Sequence, residues 1–188
     1  MAVSRRNIIA FAPMAAMAVV IAGCNRTHST AAPGVPAQQV SQGDLDFITN
    51  AYNVIHFDEE LCTMAQTRAK DPRVRAMADK ILANTTAFRA KVKPIADAKG
   101  IIPPDVLRND LRIRLGHARR TEGVDFDRVF LADEIATHQE AIERAEDEDT
   151  VAGADPQLKQ FAEEGLDLLK TNLAQLIALQ KKIGVSME

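Results

Sequence analysis

The sequence has few cysteines and no sign of β-structure. Its 188 residues contain two cysteines, Cys24 and Cys62. Cys24 ends an N-terminal apolar segment, so Cys62 is the only thiol left in the rest of the chain, and no internal disulfide is expected. Sustained apolar–polar alternation and Asn-Gly hairpin turns are also missing, which argues against β-sheets. A hydrophobic core of helices must therefore supply the stability of the fold.

A long hydrophobic run is missing as well. The apolar segment Ile8–Ile21 spans 14 residues and contains Pro13, which is too short to favour a permanent membrane span. Arg5 and Arg6 precede this segment, and Val20-Ile21-Ala22-Gly23-Cys24 ends it. This ending resembles the lipobox of bacterial lipoproteins, whose cysteine thiol takes the lipid. We interpret residues 1–23 as a lipoprotein signal peptide, and Cys24 as the acceptor of a diacylglycerol and acyl (palmitate) anchor.

The residues around this leader also bear on its export. Asn25 follows the cysteine, and a residue other than Asp there resembles the sorting signal for the outer membrane. We therefore expect a lipid-anchored protein on the outer membrane, facing the periplasm. Residues 4–9, Ser-Arg-Arg-Asn-Ile-Ile, also resemble a twin-arginine signal. The export route stays open between the general secretory and twin-arginine pathways.

The chain carries no basic excess. Its 23 basic and 26 acidic side chains give a net charge of −3, and removing Arg5 and Arg6 with the leader leaves −5. This balance argues against a nucleic-acid partner, which would require a basic face. The membrane, through the lipid anchor, and a protein of the envelope remain as possible partners. Residues 24–43, rich in small and polar residues, are predicted to be a flexible tether.

Apolar residues at three- and four-residue spacing predict helices throughout residues 44–184. Four long helices are expected at about residues 44–70, 71–99, 125–147 and 156–183. Asp71-Pro72 and Asp155-Pro156 are typical helix starts, and Gly100 is a typical stop. The residues expected to point inward on the first helix are Leu45, Ile48, Tyr52, Ile55, Cys62 and Ala65. Residues 101–123 form a connection with a short amphipathic helix, on which Val106, Leu107, Leu111 and Leu115 are expected to point inward.

Two short links and one long one predict the fold class. We expect an all-α, ferritin-like four-helix bundle whose long crossover carries a short extra helix. An up-down bundle with a decorated loop is the alternative.

Each long helix has one polar residue in the middle of its inward stripe. These residues are Asp58, Thr85, His138 and Asn172. In a bundle of matched helices they should meet at one height, and polar groups there must satisfy one another. We expect a hydrogen-bonded layer that fixes the helix register, with His138 bonded to Asp58 or Asn172, and no catalytic residue.

The same region allows two sharper interpretations. Cys62 lies one turn from Asp58, so Asp58, Cys62 and His138 could form a three-ligand site for zinc or copper. A nucleophilic pair of Cys62 with His138 is the other possibility, although a fully buried thiol is usually inert. His56 and His117 fall outside the stripe and are expected at the surface.

The crossover also has a local basic face. It comprises Arg108, Arg112, Arg114, Arg119 and Arg120. We expect this face to be solvated; docking to anionic lipid headgroups or to the acidic residues 146–149 is the alternative.

Several segments resemble one family of exported bacterial proteins, domain of unknown function 4142, which is assigned a ferritin-like fold. The resemblance covers roughly residues 44–184. It rests on Asp44-Leu45-Asp46-Phe47, on residues 69–78 (AKDPRVRAMA), on Gly123-Val124-Asp125-Phe126-Asp127, on His138-Gln139-Glu140-Ala141-Ile142 and on residues 155–162 (DPQLKQFA).

The resemblance also implies what the mid-bundle positions hold in relatives. The family pattern tends to place Glu at position 58, an Asp-His pair at Asn84-Thr85, and His at both 138 and 172, which would suggest a metal site. Thr85 and Asn172 depart from that pattern and are poor ligands for transition metals. A ferritin-type di-iron site also needs two Glu-x-x-His motifs, and the sequence has none.

The expected function is therefore that of a non-enzymatic envelope lipoprotein with a structural or interaction bundle. The alternative is a metal-binding or redox-related ferritin-like protein that uses Asp58, Cys62 and His138.

Overall fold

The computed structural model describes residues 40–151 and 156–184, and the side chains of residues 40–146 and 156–184. Five helices lie in these residues: α1 (Gln42–Arg68), α2 (Pro72–Lys99), α3 (Asn109–Ala118), α4 (Gly123–Val151) and α5 (Pro156–Ile183). The only extended pairing in the described residues is an isolated bridge between Ala69 and Gly123, so the all-α prediction is confirmed. The predicted signal peptide, Cys24 and the tether up to residue 39 lie outside the described residues.

Local signals set the helix ends. The Asp71 side chain accepts a hydrogen bond from the Arg73 backbone N–H at 2.8 Å, and Pro72 begins α2. Gly100 ends α2 in the left-handed conformation, with a φ of 66°. The first helix begins two residues earlier than predicted, because the Ser41 hydroxyl caps it by accepting from the Asp44 N–H at 3.0 Å.

Contacts at the two ends of the bundle define its topology. At one end, Lys99 Nζ at the end of α2 lies 3.2 Å from Asp44 Oδ2 at the start of α1. At the other end, the bridge joins Ala69, after α1, to Gly123, where α4 begins. Residues 100–122 therefore return along the length of the bundle, and α4 runs in the same direction as α2. None of the described helices is both long and apolar enough to cross a membrane.

The short helix α3 lies against α1 and α4. The Arg108 backbone N–H, just before α3, donates to Asn53 Oδ1 on α1 at 2.8 Å. Leu111 and Leu115 are buried in the main core cluster, as predicted. Val106, predicted to be buried, is 62% exposed, because α3 begins only at Asn109 and Val106 is not part of its apolar stripe.

The first turn of α1 also departs from the prediction. Leu45 is 38% exposed rather than in the core. Asp44, not Leu45, is buried and turned toward α2, where it pairs with Lys99. The rotation of this turn therefore places Leu45 at the edge of the bundle.

The buried apolar residues fall into two clusters along the bundle. On α1, one cluster holds Ile48, Tyr52 and Ile55, and the other begins at Phe57 and Leu61. On α2, one cluster holds Val74, Met77, Ala78 and Ile81, and the other holds Val92 and Ala96. Asp58 and Thr85 therefore lie close to the level at which one cluster gives way to the other.

Two residues of α3 test how firmly the crossover is docked. Leu111 is fully buried, whereas Ile113 on the same helix is 64% exposed. Leu111→Ala should lower the free energy of unfolding by about 2–5 kcal/mol, because it leaves a cavity in the core. Ile113→Ala shortens a side chain of the same composition that lies in water, so it should change the free energy of unfolding by about 0.5 kcal/mol or less. Urea denaturation of both variants checks this, and equal losses would show that α3 is not docked as described.

Candidate functional site

Asp58 and Thr85 face each other across the α1–α2 interface. Both are buried, with 4% and 6% of their surfaces exposed. The Thr85 hydroxyl donates to Asp58 Oδ2 at 3.1 Å. The other carboxylate oxygen, Oδ1, is buried without a hydrogen-bond partner. One oxygen of Asp58 is thus fixed by the protein, and the second is left free.

His138 and Glu134 lie one turn apart on α4, and both are fully buried. His138 Nδ1 lies 2.9 Å from the Glu134 backbone carbonyl oxygen, an acceptor that requires Nδ1 to carry the proton. It also lies 3.4 Å from Glu134 Oε2. His138 Nε2 has no hydrogen-bond partner and, with the proton on Nδ1, holds a free lone pair.

This arrangement corrects the pairing expected for His138. The structure shows no hydrogen bond from its ring to Asp58 or Asn172. Nδ1 instead bonds the carbonyl of its own preceding turn, since residues four apart on a helix are stacked along one face.

Cys62 contacts Glu134 and makes no bond to His138. Its thiol donates to Glu134 Oε1 at 3.6 Å, within the range for sulfur. Glu134 Oε2 has no hydrogen-bond partner. Burial and the neighbouring Glu134 and Asp58 carboxylates raise the pKa of the Cys62 thiol, so it stays protonated at neutral pH. Cys62 and His138 form no hydrogen bond with each other, and in the metal-free protein Cys62 is a thiol rather than a thiolate.

Asn172 pairs with a different partner. Its Oδ1 accepts from Asn84 Nδ2 at 3.3 Å, and it is 3% exposed. All four predicted residues, Asp58, Thr85, His138 and Asn172, line one cavity of about 80 Å³. The structure therefore brings them together at one level, but as separate pairs rather than as one continuous network.

Burial controls the protonation of the three titratable groups. It raises the pKa of Asp58 to about 8, an effect that the hydrogen bond from Thr85 partly offsets. It also raises the pKa of Glu134 well above its ordinary value, and the Asp58 charge adds to this. Burial lowers the pKa of His138 to about 4. At neutral pH the imidazole is therefore uncharged, and without a cation nearby the Asp58 carboxyl group retains its proton.

Asp58, Glu134 and His138 form a compact cluster. One ligand atom from each residue lies within 4.8 Å of the others, and all three residues are buried. Cys62, the third residue of the metal site considered from sequence, does not belong to this cluster. Glu134 was not predicted, because the ferritin-type motif places Glu three residues before His, whereas Glu134 lies four residues before His138. The four-residue spacing also keeps two side chains on one helix face and was the signal available in the sequence.

The other predicted residues lie away from the cluster. His117 is exposed, and His56 Nε2 lies 3.2 Å from Glu60 Oε1 on the surface of α1. The basic face of the crossover is partly neutralised by acidic partners: Arg108 and Arg114 contact Glu140, and Arg119 contacts Glu60. The side chains of residues 147–149 lie outside the described residues, so docking of this face to residues 146–149 stays a prediction.

Comparison with solved structures supports the fold. A DUF305 fragment from Deinococcus radiodurans superposes with a TM-score of 0.68 and 12% sequence identity, covering 76% of this chain and 98% of that chain. A DUF305 protein from Streptomyces coelicolor, described as secreted, gives a TM-score of 0.64 and 12% identity, covering 78% of this chain and 96% of that chain. At this identity the likeness shows the fold alone.

Comparison by sequence shows the family. No curated protein matches the chain. The model of a domain of unknown function, DUF4142, matches residues 29–179, which is well over half of the sequence. The chain therefore belongs to the DUF4142 family.

Proposed function

We propose that this protein is a lipid-anchored protein of the bacterial cell envelope whose helical bundle serves as a non-enzymatic structural or interaction module. The proposal of a lipid anchor rests on the segment Val20–Cys24, which ends an apolar run that follows two arginines. A fold neighbour described as secreted is consistent with an exported protein. Asn25 after the cysteine favours sorting to the outer membrane, where the bundle would face the periplasm.

The chemistry of the bundle interior supports a non-enzymatic role. The thiol of Cys62 donates to Glu134 and has a raised pKa, so it lacks the character of a nucleophile. The His138 ring has a pKa lowered to about 4, far from that of a general base working at neutral pH. Neither residue is activated for acyl or proton transfer in the form described.

The connectivity is proposed to be ferritin-like. The long connection returns along the bundle, so that α2 and α4 run in the same direction, which an up-down bundle would not produce. A bundle held to the membrane by lipid and a tether would be free to meet a protein partner in the envelope. The net negative charge argues against a nucleic-acid partner.

Substitution of Cys24 tests the anchor. In cells that express the full-length protein and are grown with radiolabelled palmitate, the wild-type chain should incorporate label. Cys24→Ser should lose essentially all of it, because the acceptor thiol is gone. Cys62→Ser is the matched control and should keep the label, since its thiol is buried. An unlabelled wild type, or a labelled Cys24→Ser, would rule out lipidation at this cysteine.

A second candidate function, metal binding, is favoured by one observation, the convergence of Asp58, Glu134 and His138. The set differs from the Asp58, Cys62 and His138 site considered from sequence. It is argued below.

A further inference from the structure

We propose that Asp58, Glu134 and His138 bind a single divalent transition-metal ion, with Zn²⁺ as the representative ion. The site lies between α1 and α4 at the level of Thr85. Metal binding here does not depend on the lipid anchor.

Each of the three side chains has one polar atom fixed by the protein and one atom left free. Asp58 Oδ2 accepts from Thr85 and Glu134 Oε1 accepts from Cys62, while His138 Nδ1 donates to the Glu134 carbonyl. The atoms left without a partner are Asp58 Oδ1, Glu134 Oε2 and His138 Nε2. Buried polar atoms are nearly always satisfied, so an unpartnered atom on each of the three clustered residues indicates that the cluster binds a ligand.

The fixed atoms match the support that metal ligands receive in proteins. A histidine that binds a metal through one nitrogen almost always donates its other N–H to a carboxylate, a carbonyl or water, which orients the ring. The bond from His138 Nδ1 to the Glu134 carbonyl does this and leaves Nε2 free as the ligand. Thr85 and Cys62 orient the two carboxylates in the same way, so both are positioning residues.

Charge and ligand type indicate the class of ion. Two carboxylates carry two negative charges when deprotonated, which a divalent cation balances; unpaired buried charges of this kind are otherwise very costly. One imidazole and two carboxylates suit zinc, manganese or iron(II) rather than copper(I), which prefers sulfur, or calcium, which takes six to eight oxygens. The cavity of about 80 Å³ beside Asp58 and His138 has room for water at the remaining coordination positions.

Metal binding by the purified full-length protein tests this site. After treatment with a chelator and incubation with Zn²⁺, the desalted wild-type chain should retain one zinc per chain and gain thermal stability. Asp58→Asn, Glu134→Gln and His138→Ala each remove a ligand and should weaken zinc binding by more than about 100-fold, the upper end of what loss of a supporting residue costs. Thr85→Ala keeps all three ligands and should weaken binding by about 10–100-fold, as expected for a supporting residue.

Matched controls separate this site from other sources of zinc binding. His117→Ala removes an exposed histidine and should leave the affinity unchanged. Cobalt(II), used as a spectroscopic substitute for zinc, should show no thiolate-to-cobalt charge-transfer band, because Cys62 is not a ligand. Circular dichroism confirms that each variant is folded. A folded wild-type protein that retains no zinc overturns the proposal, as does undiminished binding by both Asp58→Asn and Glu134→Gln, or a thiolate band that Cys62→Ser removes.

Discussion

Phe57→Ala should lower the free energy of unfolding by about 3–5 kcal/mol. Phe57 is fully buried and belongs to the same core cluster as Leu111 and Leu115 of α3. Asn53, one turn before it on α1, bonds to the Arg108 backbone, so Phe57 lies on the side of α1 that the crossover covers. Removing the ring takes away apolar contacts of both α1 and the crossover, and the helices cannot close the space that remains. Denaturation in urea, followed by circular dichroism, measures the loss.

Phe47→Ala on the same helix is the matched control. Phe47 is only half-buried and makes an edge contact with Phe161 at a centroid distance of 6.0 Å. Its loss should therefore cost less than the loss of Phe57, since more of its ring is already in water. If both variants lost the same stability, α3 would not cover this face of α1.

Asp58→Asn should make the metal-free protein more stable at pH 8 but not at pH 4. Burial raises the pKa of Asp58 from 3.8 to about 8 in the folded state. The folded chain therefore holds this proton more tightly than the unfolded chain, and the wild-type free energy of unfolding falls as pH rises between these two values. Asparagine has no proton to lose at this position and keeps an oxygen that can accept from the Thr85 hydroxyl. The variant should therefore not lose stability through this group as pH rises.

Glu134, His138 and Cys62 lie near Asp58, and their own titration determines the pH range in which the effect of Asp58 should be measured. Burial also raises the pKa of Glu134, so Glu134 too lowers the free energy of unfolding as pH rises. The lowered pKa of His138 acts with the opposite sign, since its stability contribution is lost as pH falls from 6.5 toward 4. Between pH 6.5 and 8 the folded imidazole is neutral, and the remaining protonation of the unfolded imidazole is shared by the wild type and Asp58→Asn, so it cancels in the comparison. The Cys62 thiol keeps its proton over this range.

Chemical denaturation across this range, with a chelator present, gives the comparison. From pH 6.5 to 8 the wild type should lose about 2 kcal/mol relative to Asp58→Asn, at about 1.4 kcal/mol per pKa unit. Asp46→Asn replaces an exposed carboxylate of α1, which stays hydrated in both states, and should parallel the wild type. Parallel curves for Asp58→Asn and the wild type would show that Asp58 is not buried as a carboxylic acid.

Much of the fold could be predicted from sequence because its signals are local. Asp71-Pro72 and Gly100 determine the ends of α2 through capping and a left-handed turn, and the three- and four-residue spacing of apolar residues identifies the buried side of each helix. Leu45 and Val106 were placed wrongly because burial at the end of a helix depends on which neighbour covers it. Phe57 lies outside the inward stripe predicted for α1, yet it is fully buried in a cluster that includes Leu111 and Leu115 of α3.

The candidate site, like the fold, could be predicted from sequence only in part. The sequence by itself determined that Asp58, Thr85, His138 and Asn172 lie midway along their helices, because position along a helix follows from residue number. Only the tertiary structure decided that Glu134 rather than Cys62 completes the cluster with Asp58 and His138. The reason is physical: the rotation of α4 about its axis relative to α1 determines which side chains meet between two helices, and that rotation depends on packing over the whole interface.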